Sequence, residues 1–243
     1  MNLIDAHCHL ANLADTHDVF ELLKDAADSG IDRFVSSALR RREVQWHRDH
    51  SDHRIHWHAG IHPNFDECDL SMEDIAGLLA SNEIGAVGEI GLDRQNPDLN
   101  WQKHVFLDQL RLAQEYNVPV VLHLVGMQSE SYTILKQFPL RYLVHGYAGS
   151  LEGFNLLCRL DSIFTISSRI LRPDKQLLLK AMVEHGRFMF ETDITQYYVK
   201  AGESNPLLRL NQVFRDTGIL TSTSPETMFS TQNDSYNYLF GVR

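Results

Sequence analysis

Short β-branched runs alternate with longer amphipathic stretches along the whole chain. The pattern predicts strands at NLIDA (2–6), RFVSSA (33–38), IHWHAG (55–60), IGAVGEIG (84–91), VPVVLH (118–123), RYLVH (141–145), SIFTIS (162–167) and RFMFET (187–192). Helix-like segments lie between them. In WQKHVFLDQLRLAQEY (101–116), Val105, Phe106, Leu110, Leu112 and Ala113 suit one buried helical face. Eight strands separated by seven helices predict an α/β fold, a (β/α)8 TIM-like barrel forming a single domain over residues 1–243, rather than an open sheet. No Gly/Ser-rich or Pro-rich linker breaks the alternation. The stretch TGILTSTSPETMF (217–229) reads as a loop, with Ser224 and Pro225 placed to start a last helix as cap and first-turn proline. The final NYLFGVR carries aromatic and leucine side chains suited to closing the helical layer.

Composition narrows the function classes. With 43% hydrophobic and 22% charged residues, the chain has too much apolar material for a disordered segment. No run approaches the roughly 18 to 20 apolar residues of a membrane span, and no leader pattern opens the sequence, so a cytoplasmic, membrane-free protein is expected. Cys8, Cys68 and Cys158 are scattered without a CxxC pair, which argues against a disulfide scaffold. A formal charge of −10 disfavours a broad grip on duplex DNA, which needs Lys and Arg against phosphates. It leaves room for a small site where bound cations supply positive charge.

Candidate chemistry begins at IDAHCHL (4–10). On a strand, His7 and His9 project to one face while Cys8 points away, so the two imidazoles can share a divalent cation; a pair of hydrogen-bonded strand histidines is the other reading. Glu89 in AVGEIGLD is an acid inside an apolar, glycine-flanked strand, where it requires a cation or a donor. His123 and His145 end two further strands, and Asp193 follows another. Singly, each has an ordinary role as a salt bridge or cap. In a barrel all of these strand ends converge on one mouth, where active sites of the fold are built. Four His, one Glu and one Asp match a binuclear centre, with a carboxylate between two cations. Such a pair lowers the pKa of a shared water and clamps a phosphoryl or acyl oxygen.

Taken together, IDAHCHL, GIHP (60–63), VGEIGLD (87–93), QKHVFLDQLRLAQEYNVPVVLH (102–123), VHGYAGS (144–150) and ETD (191–193) resemble the TatD-like metal-dependent deoxyribonucleases of the amidohydrolase superfamily. The resemblance implies two divalent ions, Mg2+, Mn2+ or Zn2+. It assigns His7, His9 and Asp193 to one ion, His123 and His145 to the other, and Glu89 to both. Asp193 and Glu89 are thereby the catalytic candidates, Asp193 as proton acceptor for the attacking water. His62 in GIHP would donate a hydrogen bond to a substrate phosphate, or serve as a structural strand-end histidine. There are departures. The family's fifth-strand histidine is usually followed by a Ser-Arg pair suited to the phosphate, whereas LVGMQ follows here; the usual GLDY is GLDR, which offers Arg94 as a substitute cation.

The implied activity is phosphodiester hydrolysis, exonucleolytic on single-stranded or frayed DNA ends. Two alternatives stand beside it. One is hydrolysis of an ester, lactone or amide, including an aminoacyl-tRNA ester. The other is a partner-dependent nuclease subunit of a multi-protein nucleic-acid or defence assembly. Three further clusters carry expectations beside ordinary structural readings: six histidines from His47 to His62 as a second metal site, LRRRE (39–43) as a guide for nucleic acid, and Tyr147, Tyr197 and Tyr198 as mouth aromatics for base stacking.

Overall fold

The computed structural model describes residues 2–241. Eight strands, β1 (Leu3–Cys8), β2 (Ile31–Ala38), β3 (Ile55–Ala59), β4 (Val87–Asp93), β5 (Val120–Val125), β6 (Tyr142–Val144), β7 (Ser162–Ile166) and β8 (Phe188–Phe190), pair in parallel and in chain order to close a barrel. Between them run α1 (Leu10–Leu13), α2 (Val19–Asp28), α3 (Arg41–Asp49), α4 (Met72–Ala80), α5 (Leu99–Glu115), α6 (Gln128–Leu135), α7 (Leu151–Leu157) and α8 (Gln176–His185); α9 (Arg209–Thr221) and α10 (Pro225–Phe240) follow β8. The (β/α)8 fold expected from the alternation is therefore the fold observed. Among the described residues no helix is long and apolar enough to cross a membrane.

Two apolar layers sandwich the strands. Outward side chains such as Leu3, Phe34, Val87 and Phe164 meet the helices in one large cluster. Ile4, Ala6, Val35, Val121, Leu143, Ile163 and Met189 form a second cluster with Tyr236 and Leu239 of α10. The last helix thus packs on the barrel's inner cluster rather than completing only the outer ring; Val242 and Arg243 of the NYLFGVR segment lie outside the described residues.

Strict alternation would set Ile4 and Ala6 on the face opposite His7. The β1/β2 register shifts between Asp5 and Cys8, and the β4/β5 register shifts between Val87 and Ile90. Such irregularities re-aim side chains near sites. Here they flank His7 and Glu89. Glycines permit the close approach: a Cβ on Gly88 would lie 2.5 Å from that of Val121, and one on Gly91, at φ +152°, 2.0 Å from the His123 carbonyl oxygen.

The expected 217–229 loop is corrected to a short turn at 222–224. Two of its threonines belong to α9, where the Thr217 and Thr221 hydroxyls donate back to the Val213 and Thr217 carbonyls at 2.8 and 2.7 Å. Ser224 does cap α10, accepting from the Thr227 N–H at 3.2 Å, with Pro225 in the first turn. Within α5, Phe106, Leu110 and Ala113 are buried as expected, but so are Gln102 and Gln109.

Candidate metal centre

Glu89 rises from the middle of β4, fully enclosed at 2% exposure. Its Oε1 faces His7 Nε2 at 3.4 Å and His9 Nε2 at 3.3 Å. Its Oε2 faces His145 Nε2 at 2.8 Å and His123 Nδ1 at 3.8 Å. Asp193 Oδ1 closes the first group, 3.8 Å from His7 Nε2 and 3.7 Å from His9 Nε2. The two carboxylate oxygens of one residue are divided between two sets of donors.

The sequence folds this way because β1 is stitched to the segment after β8. Buried Asp5 accepts from the Thr192 N–H (3.0 Å) and hydroxyl (2.6 Å). The Asp193 N–H donates to the His7 carbonyl at 3.0 Å, and the His9 N–H to the Ile194 carbonyl at 3.0 Å. Asp193 itself adopts φ +53°, a conformation uncommon outside glycine, and the neighbouring bonds hold it there. Beyond the short β8, the Glu191 N–H still donates to the Ile166 carbonyl of β7 at 3.1 Å, and residues 192–194 then bond with β1 and His9.

Burial and charge act against each other in the cluster. Burial opposes ionisation of Glu89, yet His7, His145 and His9 outweigh it and hold the carboxyl well below its usual range. Burial likewise opposes charge on His145, but Glu89 pushes it up to about 9. His7 is pushed down to about 4 by burial, reinforced by His145. Asp193 overcomes its burial through His9, His145, His7 and Arg169 and is held far below the carboxylate range.

The residues fit divalent cations. Both ring nitrogens of His7, Glu89 Oε1 and His145 Nδ1 are buried without a hydrogen-bond partner among the described residues. Three overlapping groups bring one donor atom per residue within 4.8 Å of one another: His7, His145 and Asp193; His7, His9 and Glu89; His62, Glu89 and His123. Imidazole nitrogens and carboxylate oxygens are donors for Zn2+, Mn2+ or Mg2+ chemistry.

Around the ligands stands an outer ring of residues to which the sequence alone assigns no role. Asp93 at the end of β4 faces His123 Nε2 at 3.1 Å, leaving Nδ1 toward Glu89, an orienting contact typical of metal-site histidines. Gln102 holds the Asp93 backbone, accepting from its N–H at 2.7 Å and donating to its carbonyl at 3.0 Å. Gln109 does the same for Ile61, beside His62, at 2.7 and 3.1 Å. His58 Nδ1 donates to the Gly88 carbonyl at 2.7 Å, and its ring stacks on His7 at 5.9 Å. Glu191, its carboxyl pushed by burial up to about 8, lies behind His145 at 3.8 Å. Gln102 and Gln109 belong to the Q-x-x-x-F-x-x-Q-L pattern that follows VGEIGLD and helps carry the family resemblance, but the pattern does not say which backbone groups their amides bond.

The remaining expectations divide. His62 reaches the centre: its Nδ1 accepts from the Asn64 N–H at 2.9 Å, which leaves the ring proton on Nε2, 3.9 Å from Glu89 Oε2. A cavity of about 320 Å³ opens above the cluster, and His62, Arg169, Tyr197 and Tyr198 share its lining. Arg94 is exposed outside that lining, its stem against Gly126. Tyr147 is a packing residue instead of a mouth aromatic, 2% exposed with its hydroxyl donating to the Ser150 carbonyl. Of the six-histidine stretch, His62 alone joins a candidate metal group among the described residues, while His47 is buried against Trp57 and His56 meets the Tyr236 hydroxyl. The arginines of LRRRE are engaged with acids, Arg40 with Glu43 and Glu67, Arg41 with Asp74, and Arg42 with Asp15, which removes them as a basic guide.

The chain is similar to known proteins in sequence and in fold. A family model described as TatD related DNase matches residues 4–241. The chain is 26% identical over 198 residues to a metal-dependent hydrolase of Methanocaldococcus jannaschii, covering 78% of this chain and 77% of that protein. It is 25% identical over 244 residues to a Rahnella protein named 3'-5' ssDNA/RNA exonuclease TatD, covering 94% and 93%. Among solved structures, YjjV, a TatD homologue from Escherichia coli, superposes with a TM-score of 0.87 at 24% identity, covering 99% of this chain and 98% of that one.

Proposed function

The chain belongs to the TatD-related DNase family of metal-dependent hydrolases, and from that premise we propose that it is a phosphodiesterase removing nucleotides from single-stranded or frayed DNA ends. The observation that carries this reading is the division of the Glu89 oxygens, Oε1 toward His7 and His9 and Oε2 toward His145 and His123. His7, His9 and Asp193 would hold one divalent cation, His123 and His145 the other, and Glu89 both. When bound, such a pair supplies a water of lowered pKa and neutralises charge developing on phosphoryl oxygens.

The chain's own residues do the rest. Asp193, kept ionised, accepts the proton of the attacking water. His62, held neutral by burial and by neighbouring His123 at a pKa of about 3, presents its Nε2 proton to a phosphate oxygen. Asp93 keeps the His123 ring in orientation. Tyr197 and Tyr198, 63% and 55% exposed at the rim, offer faces on which bases of a single strand can stack. A cavity of about 320 Å³ has the size of a small-ligand site, which suits one nucleotide at a chain end better than a continuous duplex.

Digestion of end-labelled single-stranded DNA in Mg2+, Mn2+ or Zn2+ tests the reading. The expected result is stepwise shortening from one end by the wild type and background activity in Glu89→Ala. Equal activity in the two proteins refutes the role of Glu89. A second reading, hydrolysis of an ester, lactone or amide, draws on the carboxylates Glu43, Glu89, Asp93 and Asp193 around the cavity, a lining tolerant of a substrate with little negative charge. Turnover of chromogenic esters with none of oligonucleotides decides for it.

A further inference from the structure

Among the described residues, Arg169 is the one arginine or lysine that lines the mouth cavity, and it does so among four carboxylates. It stands on the turn after β7. Ser167 before it and Ile170 after it are buried, and the Ile170 N–H donates to the Ser167 carbonyl at 3.1 Å, so the turn is pinned on both sides. The side chain between those anchors is 49% exposed.

The guanidinium is aimed, too. Its Nη2 donates to Asp193 Oδ2 at 2.6 Å, on the carboxylate oxygen opposite the one facing His7 and His9. Its Nη1 lies over Gly146, where a Cβ would come within 3.5 Å. Gly146, at φ +57°, is fixed by its N–H donating to Thr165 Oγ1 at 2.8 Å. The group therefore spans the gap between the end of β6, which carries His145, and the end of β8, which carries Asp193. Its Nε and Nη1 protons have no hydrogen-bond partner among the described residues.

We propose that Arg169 is the specificity-determining contact for the substrate's anionic group, binding a phosphate oxygen with the N–H groups that Asp193 leaves unused. This inference rests on the phosphodiester reading above. An arginine already fixed by a carboxylate loses little rotamer freedom on binding, and a guanidinium keeps its charge at every working pH. In a cavity walled by acids, Arg169 is the one arginine or lysine side chain among the described lining residues that can meet a phosphate beside the metal ligands. The segment LVGMQ after His123 brings no arginine, and Arg94 turns toward Gly126, so the cation comes from the turn after β7, two strands along the barrel from β5.

The test compares wild type, Arg169→Met, Arg169→Lys and Arg94→Met on a labelled single-stranded oligonucleotide and on neutral p-nitrophenyl acetate. Binding of inorganic phosphate to the Mn2+-loaded proteins is measured in parallel by calorimetry. In Arg169→Met, the oligonucleotide KM is expected to rise tenfold or more with a smaller fall in kcat. The loss in kcat/KM is expected to be at least tenfold greater for the oligonucleotide than for the ester, phosphate binding to weaken at least tenfold, and Arg169→Lys to recover part of each. Equal losses on both substrates carried in kcat would reduce Arg169 to a positioning residue for Asp193 and overturn the proposal. A larger KM effect in Arg94→Met would overturn it as well. If the wild type turns over the ester and no oligonucleotide, the phosphodiester reading fails by itself. Phosphate binding then decides for Arg169, weakened binding in Arg169→Met upholding it and unchanged binding overturning it.

Discussion

Replacing Gln102 with leucine isolates what the buried glutamines of α5 do. The amide makes three bonds: from the Asp93 N–H (2.7 Å), to the Asp93 carbonyl (3.0 Å) and to the Asn96 carbonyl (2.8 Å). Leucine fills a similar volume and leaves those backbone groups behind. Asn96 is half-buried and water can reach it, and the Asp93 carbonyl keeps the Asn96 N–H at 3.2 Å, so both losses are small. The Asp93 N–H has no such substitute at 4% exposure, and an orphaned buried donor costs about 1 to 3 kcal/mol. A net loss of about 2 kcal/mol in urea unfolding follows, seen as a lower midpoint at unchanged slope. A second effect reaches the site, because the Asp93 carboxylate orients His123. A direct partner of a metal ligand is worth about 10- to 100-fold in affinity; Gln102 acts one contact farther out, so Mn2+ affinity is expected to fall by up to about tenfold. Gln102→Leu with wild-type affinity and a stability change under about 0.5 kcal/mol would refute this chain of contacts.

His47, buried beside Ser36 and Trp57, has its pKa pushed down to about 3 by burial, aided by His50, from 6.5 in the open chain. Between those two values the unfolded chain binds the extra proton, so stability falls as pH drops; from pH 7 to pH 5 the loss is about 2 kcal/mol. His47→Asn should flatten the pH dependence of urea unfolding by about that amount, and an unchanged slope would count against a neutral buried imidazole. Leu239, 2% exposed, anchors α10 on the inner cluster, so Leu239→Ala should cost about 2 to 5 kcal/mol in the same assay; a cost below about 1 kcal/mol would mean the helix end is not integral to the barrel.

Much of this protein is legible in its sequence, for a physical reason. Parallel strands buried on both faces read as apolar runs, and polar residues at their carboxyl ends stand out against them. His7, His9, Glu89, His123, His145 and Asp193 are visible in that way, and the structure brings all six together. What stayed hidden depends on register and contact. A two-residue period cannot foresee the shifts beside His7 and Glu89, and Asp5 and Glu191 carry no pattern that separates buried acids from exposed ones. His58 sat in a histidine-rich stretch that made it indistinct from exposed His53. Arg169 and Arg94 both follow strands, and only their packing tells which one faces the cavity.

In the proposed centre one carboxylate, Glu89, joins two cation sites. Metal content after Mn2+ loading and dialysis, read together with the electron paramagnetic resonance spectrum, tests it most directly. Two ions per chain with a spin-coupled spectrum are expected in the wild type, and in Glu89→Gln a loss of the coupling with at most one ion retained. One ion per wild-type chain, or an unaltered coupled pair in Glu89→Gln, would contradict it.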